Sequence, residues 1–145
     1  MTDAQLNQKV HFSFWIIGAF ALVWNALGGV NFMSQMNPEI VAGLPESHRA
    51  IIEGRPIWAT GGFAVGVFGG AVAALMLLLR KRIAVPVFLV SLIGVLVTTP
   101  HSARIAMSPV HFTAMETFIM VILPVIVAGL LLWYAKSIAA KGLLR

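Results

Sequence analysis

Cysteine is absent from this 145-residue sequence, which excludes disulfides, thiolate metal sites and thiol nucleophiles. Charge is nearly as scarce. Only 10% of the residues are Asp, Glu, Lys or Arg, against about 25% in a soluble domain. So little polar surface cannot cover a water-exposed globule. Acids are the rarer sign, five against ten bases, and the formal charge is +5. A pI near 10.5 would suit a nucleic-acid binder, but the basic residues sit at the ends of apolar runs and form no cluster.

Apolar residues make up 59% of the chain, and the mean hydropathy is +0.93. A bilayer's hydrocarbon core, about 30 Å thick, takes roughly 20 apolar residues per helix. Four runs meet that length: His11 to Met33, Pro56 to Leu79, Ile83 to Thr99 and Val110 to Lys136. They do not alternate as barrel strands would, and backbone inside lipid must be hydrogen-bonded within its own segment. The expected fold is therefore all-α, a transmembrane four-helix bundle forming a single membrane domain over 1–145. The polar stretch from Met1 to Val10 lacks the basic start and small-residue cleavage site of a secretory signal, so the first run reads as a retained helix.

The distribution of Lys and Arg over short loops sets orientation. With the N-terminus inside, the cytoplasmic face collects Lys9, Arg80, Lys81, Arg82, Lys136, Lys141 and Arg145, and the outer face only Arg49, Arg55 and Arg104. Both termini are expected in the cytoplasm. The triplet Arg80-Lys81-Arg82 makes spans two and three a tight antiparallel hairpin. Ser34 to Arg55 is the long outer loop. In it Asn37-Pro38-Glu39 reads as a helix start, Leu44-Pro45-Glu46 as a second, and Gly54 as a stop. A short amphipathic helix on the outer surface is the expectation.

Small residues recur every fourth position in span two, at Gly62, Gly66, Gly70 and Ala74. This spacing makes a groove in which another helix backbone approaches closely. It serves either a contact within the subunit or an interface with a partner. Asn25 lies midway along span one, where an amide needs a hydrogen bond, and reads as an interhelical staple or a cavity-lining group. Glu116 is the one acid placed inside a span, about two turns from its outer end, and ionisable groups there face a bundle interior and pair. Asn25, Arg55, Arg104, His101 and His111 reach the same outer half, which predicts a polar cluster around Glu116. That cluster is either a structural pairing or a ligand or proton site. No three histidines or acids have metal-ligand spacing, and no histidine pair sits at one depth for haem. Neither a metal nor a cofactor is expected. Pro124 predicts a kink in span four.

The chain resembles a family of small four-span proteobacterial inner-membrane proteins, often labelled loosely as sugar transporters. The likeness lies in Trp24-Asn25 with Gly28, Leu44-Pro45-Glu46, Arg55-Pro56 with Trp58, Gly69, and the run from Leu75 to Arg82. It extends to Ser91-Leu92-Ile93-Gly94 in the third span and to the terminal Lys141-Gly142-Leu143-Leu144-Arg145. The family carries a second tryptophan beside Trp58 and an aromatic before the final leucine, where this chain has Ile57 and Leu143. The outer end of span three, with His101 and Arg104, is poorly matched. The resemblance implies an inner-membrane location and a four-span fold, and ties no function to particular residues.

With no nucleophile–base pair, metal set or phosphate loop, the expected function is non-enzymatic. The leading reading is an inner-membrane accessory or interaction subunit that packs against itself or a larger membrane complex through the small-residue face. The alternative is a small oligomeric solute or proton-coupled transporter with an outward-facing site around Glu116.

Overall fold

The computed structural model describes residues 9–110 and 112–145. Six helices follow in order: α1 (Phe12–Ser34), α2 (Pro38–Ala42), α3 (Glu46–Ile52), α4 (Ile57–Leu78), α5 (Ala84–Ala106) and α6 (Ala114–Ala140). Four of these, α1, α4, α5 and α6, are long and apolar enough to cross a membrane, and no strand occurs among the described residues. The expected all-α four-helix architecture is the observed one. Successive spans are antiparallel. One end of the bundle, the tail end, carries the 79–83 turn and residues 141–145; the other, the loop end, carries α2, α3 and the 107–113 connection.

Two boundaries differ from the sequence reading. Helix α5 runs on to Ala106, with Pro100 inside it, so His101 and Arg104 lie on the helix and not in a loop. Proline lacks an N–H and strains its preceding turn; Pro100 lies inside α5 on its exposed side. Helix α6 begins at Ala114 and continues to Ala140, shifted by four residues at each end from the span expected over 110–136. Its start is set by a capping box. The Thr113 hydroxyl accepts from the Glu116 N–H at 3.1 Å, and the Glu116 carboxylate accepts from the Thr113 N–H at 2.8 Å.

At the tail end, α4 closes with Lys81 N–H on the Met76 carbonyl and Arg80 N–H on the Leu77 carbonyl, both 2.8 Å. These are the paired bonds of a Schellman motif, with Arg80 in the left-handed region at φ 58°. Helix α6 ends the same way around Gly142, at φ 70°. The two ends lie side by side. Arg145 N–H donates to the Arg80 carbonyl and Arg82 N–H to the Arg145 carbonyl, both 2.6 Å, while Arg80 Nε reaches the Leu143 carbonyl at 3.0 Å. Beneath them Phe14, Leu77, Phe88 and Leu144 are fully buried. Lipid tails are as apolar as these side chains, so this half of the bundle is held by close packing and internal hydrogen bonds more than by hydrophobic transfer.

Helix contacts run in sequence order: α1 on α4, α4 on α5, α5 on α6. Helices α1 and α6 barely meet. The bundle is thus a bent row with an open seam, and the seam decides where a site can form.

Candidate functional site

The small residues of α4 explain why its two neighbours sit so close. A Cβ on Gly62 would lie 2.8 Å from the Gly94 carbonyl oxygen, and one on Gly94 would lie 2.6 Å from the Gly66 nitrogen. Backbone meets backbone there, and neither side can yield. On α1's side, a Cβ on Gly70 would fall 2.0 Å from Asn25 Oδ1. Gly70 is the space into which the Asn25 amide fits. Gly62, Gly66, Gly70 and Ala74 are all buried within the single chain. The stripe therefore works inside the subunit and presents no face to a partner. Gly94, its counterpart on α5, carries no signal in the sequence by itself, because an isolated glycine has no spacing to read.

Tight closure of α4 on both neighbours leaves α1 and α6 apart, and a cavity of about 450 Å³ lies between them. Helix α1 contributes Trp24, Asn25, Leu27, Gly28, Asn31 and Gln35. Helix α5 contributes a stripe from Phe88 through Ser91 and Val95 to Thr98, Thr99 and Ser102. Helix α6 supplies Ile119 to Val121, then Pro124, Val127, Ala128 and Leu131. Phe63, Gly66 and Val67 of α4 form the back wall, and Leu44, His48, Ile51, Ile52 and Arg55 stand at the loop end. Such repeats of three and four residues are the faces that single helix sides present.

In α6 the cavity wall is not regular α-helix. Residues Phe118–Ile122 form a π-helical turn directly before Pro124. A π turn widens the helix by one residue, which absorbs the missing donor and the ring of a proline. The irregularity near Pro124 is this π turn, and Ile119, Met120 and Val121 of it line the cavity.

Polarity is unevenly placed along this space. In its deeper part three polar side chains are engaged with backbone carbonyls. Asn25 Nδ2 donates to the Ala21 carbonyl at 2.8 Å, Ser91 Oγ to the Gly66 carbonyl at 2.6 Å, and Thr99 Oγ1 to the Val95 carbonyl at 2.7 Å. At the mouth, Arg55 donates from Nη2 to Gln35 Oε1 and stands 5.3 Å from the Phe63 ring centroid. Burial pushes its guanidinium below the ordinary arginine pKa, though arginine stays cationic in proteins. No carboxylate lines the cavity among the described residues.

The five described residues of the six predicted from sequence do not form one cluster. Asn25 and Arg55 line the cavity. Glu116 does not: as the third residue of α6 it is partly exposed, and it accepts from the Thr113 N–H and hydroxyl and from Ser47 Oγ at 2.6 Å. Thr113-x-x-Glu116 is a helix start, a signature readable in the sequence, and it puts Glu116 in the first turn of α6 and not two turns inside it. His101 is buried and donates from Nε2 to the Ile51 carbonyl at 3.0 Å, with the Trp58 ring edge-on beside it. Arg104 is exposed in the last turn of α5, where a cation suits the helix dipole. His111 lies outside the described residues. Glu116 and His101 thus act together in another way. Through Ser47 and Ile51 they pin α3 over the loop end of the bundle, so the helix expected in this loop packs on α5 and α6. Asn37 caps α2 as anticipated, accepting from the Glu39 N–H at 2.9 Å, and Gly54 ends the loop at φ 75°.

No family model, no curated protein and no solved structure matches the chain.

Proposed function

We propose that this chain is a non-enzymatic, multi-pass protein of a bacterial inner membrane, with both termini cytoplasmic, that binds and carries a small solute in the cavity between α1 and α6. The observation that supports this reading is the cavity itself, with its largely apolar depth and cationic mouth. Its volume falls within the roughly 300–1,000 Å³ of small-molecule sites. The polar residues around it are amides, hydroxyls, the Trp24 indole, the His48 imidazole and one guanidinium, which recognise and orient. The recognising centre is Arg55 with Gln35 and Asn31, and Glu116 serves to hold the α3 cover. Transport through such a site needs either movement of the α1–α6 seam or assembly of more than one copy.

The accessory-subunit reading loses its chief support, since the glycine stripe is covered within the chain. What remains for it is the outward side of α1, where Phe12, Ile16 and Val30 are more than half exposed. Purification at native expression level in nanodiscs, followed by native mass spectrometry, separates the two. A retained small molecule that is lost in Ala128→Phe, which fills the cavity, is the expected result. A stoichiometric larger complex with no small-molecule adduct would overturn the carrier reading.

A further inference from the structure

The deeper reach of the cavity has a mostly apolar wall. Ser91 and Thr99 turn their hydroxyls to carbonyls of α4 and α5, and Asn25 turns its amide to α1, leaving Phe88, Val121, Val127 and Leu131 as the contact surface. A strongly polar solute would find few groups there to replace its water, whereas a hydrocarbon chain loses little by entering. The length fits the same occupant. From Ser102 to Phe88 is 14 residues along α5, about 21 Å at 1.5 Å per residue. That is somewhat more than half of the roughly 30 Å hydrocarbon core, the depth of one leaflet. A volume of 450 Å³ toward the lower end of the small-molecule range favours one chain over two.

The mouth differs in charge. Arg55 sits there half-buried, its guanidinium held by Gln35 and Phe63, with no carboxylate in the lining among the described residues to neutralise it. A cation withdrawn from water without a counter-ion is costly, and an anion completing it forms a charge-assisted, bidentate pair. Access is sideways. Leu27 of α1 and Ile119 of α6 both line the cavity and yet expose 63% and 49% of their surface, on helices that barely meet. The open seam faces the hydrocarbon of the bilayer, where a chain-bearing molecule already resides.

We infer that the ligand is a single-chain amphiphile with an anionic head, carboxylate or phosphate, which enters from the membrane between α1 and α6 and seats its head at Arg55 and its chain along α5 toward Phe88. This assignment rests on the carrier reading above and names the class of solute. The test uses the full chain in phosphatidylcholine nanodiscs, with Trp15, Trp58 and Trp133 replaced by phenylalanine so that Trp24, on the cavity wall, reports alone. Bromine-labelled dodecanoate should quench Trp24 saturably, Arg55→Gln should weaken that binding at least about tenfold, and Ala128→Phe should abolish saturation. Arg104→Gln, outside the cavity, should leave it unchanged. Unlabelled dodecyl phosphate should compete as dodecanoate does, while butyrate and inorganic phosphate should not. Effective competition by those short anions would overturn the chain half of the assignment and point to a soluble anion. Saturable binding of bromine-labelled dodecanol equal to that of the acid, unaffected by Arg55→Gln, would overturn the anionic head and leave the carrier reading standing. Saturable quenching by neither would sink both.

Discussion

The tail end and the loop end of this bundle are built from the same four helices and behave oppositely. At the tail end, Phe14, Leu77, Phe88 and Leu144 are fully buried, and the 80–82 and 143–145 backbones bond to one another. At the loop end, α1 and α6 diverge, the space between them stays open, and a short helix is laid across it through Ser47–Glu116 and His101–Ile51. The contrast shows how a small membrane protein makes room. Glycines let α4 close on α5 and α1, and because α4 is committed to both, no second backbone-close contact draws α1 and α6 together. Cavity and glycine packing are one arrangement seen from two sides.

Three substitutions test that contrast, the most damaging first. Gly94→Leu drives a side chain into the Gly62 carbonyl and Gly66 nitrogen, which are backbone and cannot move aside. Overpacking costs typically 1–3 kcal/mol and more where nothing relaxes, so about 3 kcal/mol or more is expected, read as loss of folded protein in an SDS titration. Both halves should fail together, since α4–α5 closure underlies each. Survival of the folded state would mean that the two helices tolerate separation, and the explanation of the open seam would be lost.

Gly70→Ala is milder, because the atom in its way is the end of a side chain. A cost of about 1–2 kcal/mol is expected, most of it vanishing in an Asn25→Ala background. A double-mutant cycle measures this, and full additivity would show that Gly70 does not house the amide. Smaller still is Glu116→Gln, which weakens the capping box and the bond from Ser47 but leaves every cavity residue in place. A small loss of stability is expected, with faster hydrogen exchange over residues 46–52 and unchanged Trp24 quenching. Loss of ligand binding in that variant would return Glu116 to the site.

Much of the architecture was legible in advance. Helix count, the hairpin at Arg80-Lys81-Arg82, the Asn37 cap and the Gly54 stop each follow from short-range rules about length, charge and backbone freedom. The capping box at Thr113 and Glu116 is equally local, and it puts Glu116 in the first turn of α6, apart from the cavity that Asn25 and Arg55 line. Those two residues lie on α1 and on the approach to α4, and no periodicity links them.

Bilayer thickness and the hydrogen-bonding needs of backbone in lipid act on every stretch of chain separately, so the sequence by itself determined that four apolar helices would form and where the polar residues would gather at their ends. The facing of Gly94 on Gly62 and Gly66, the fit of Asn25 into Gly70, the burial of the small-residue stripe inside one chain and the seam between α1 and α6 were decided only in three dimensions. Each depends on the rotation of one helix against another, and that rotation is set by packing between residues far apart in the chain.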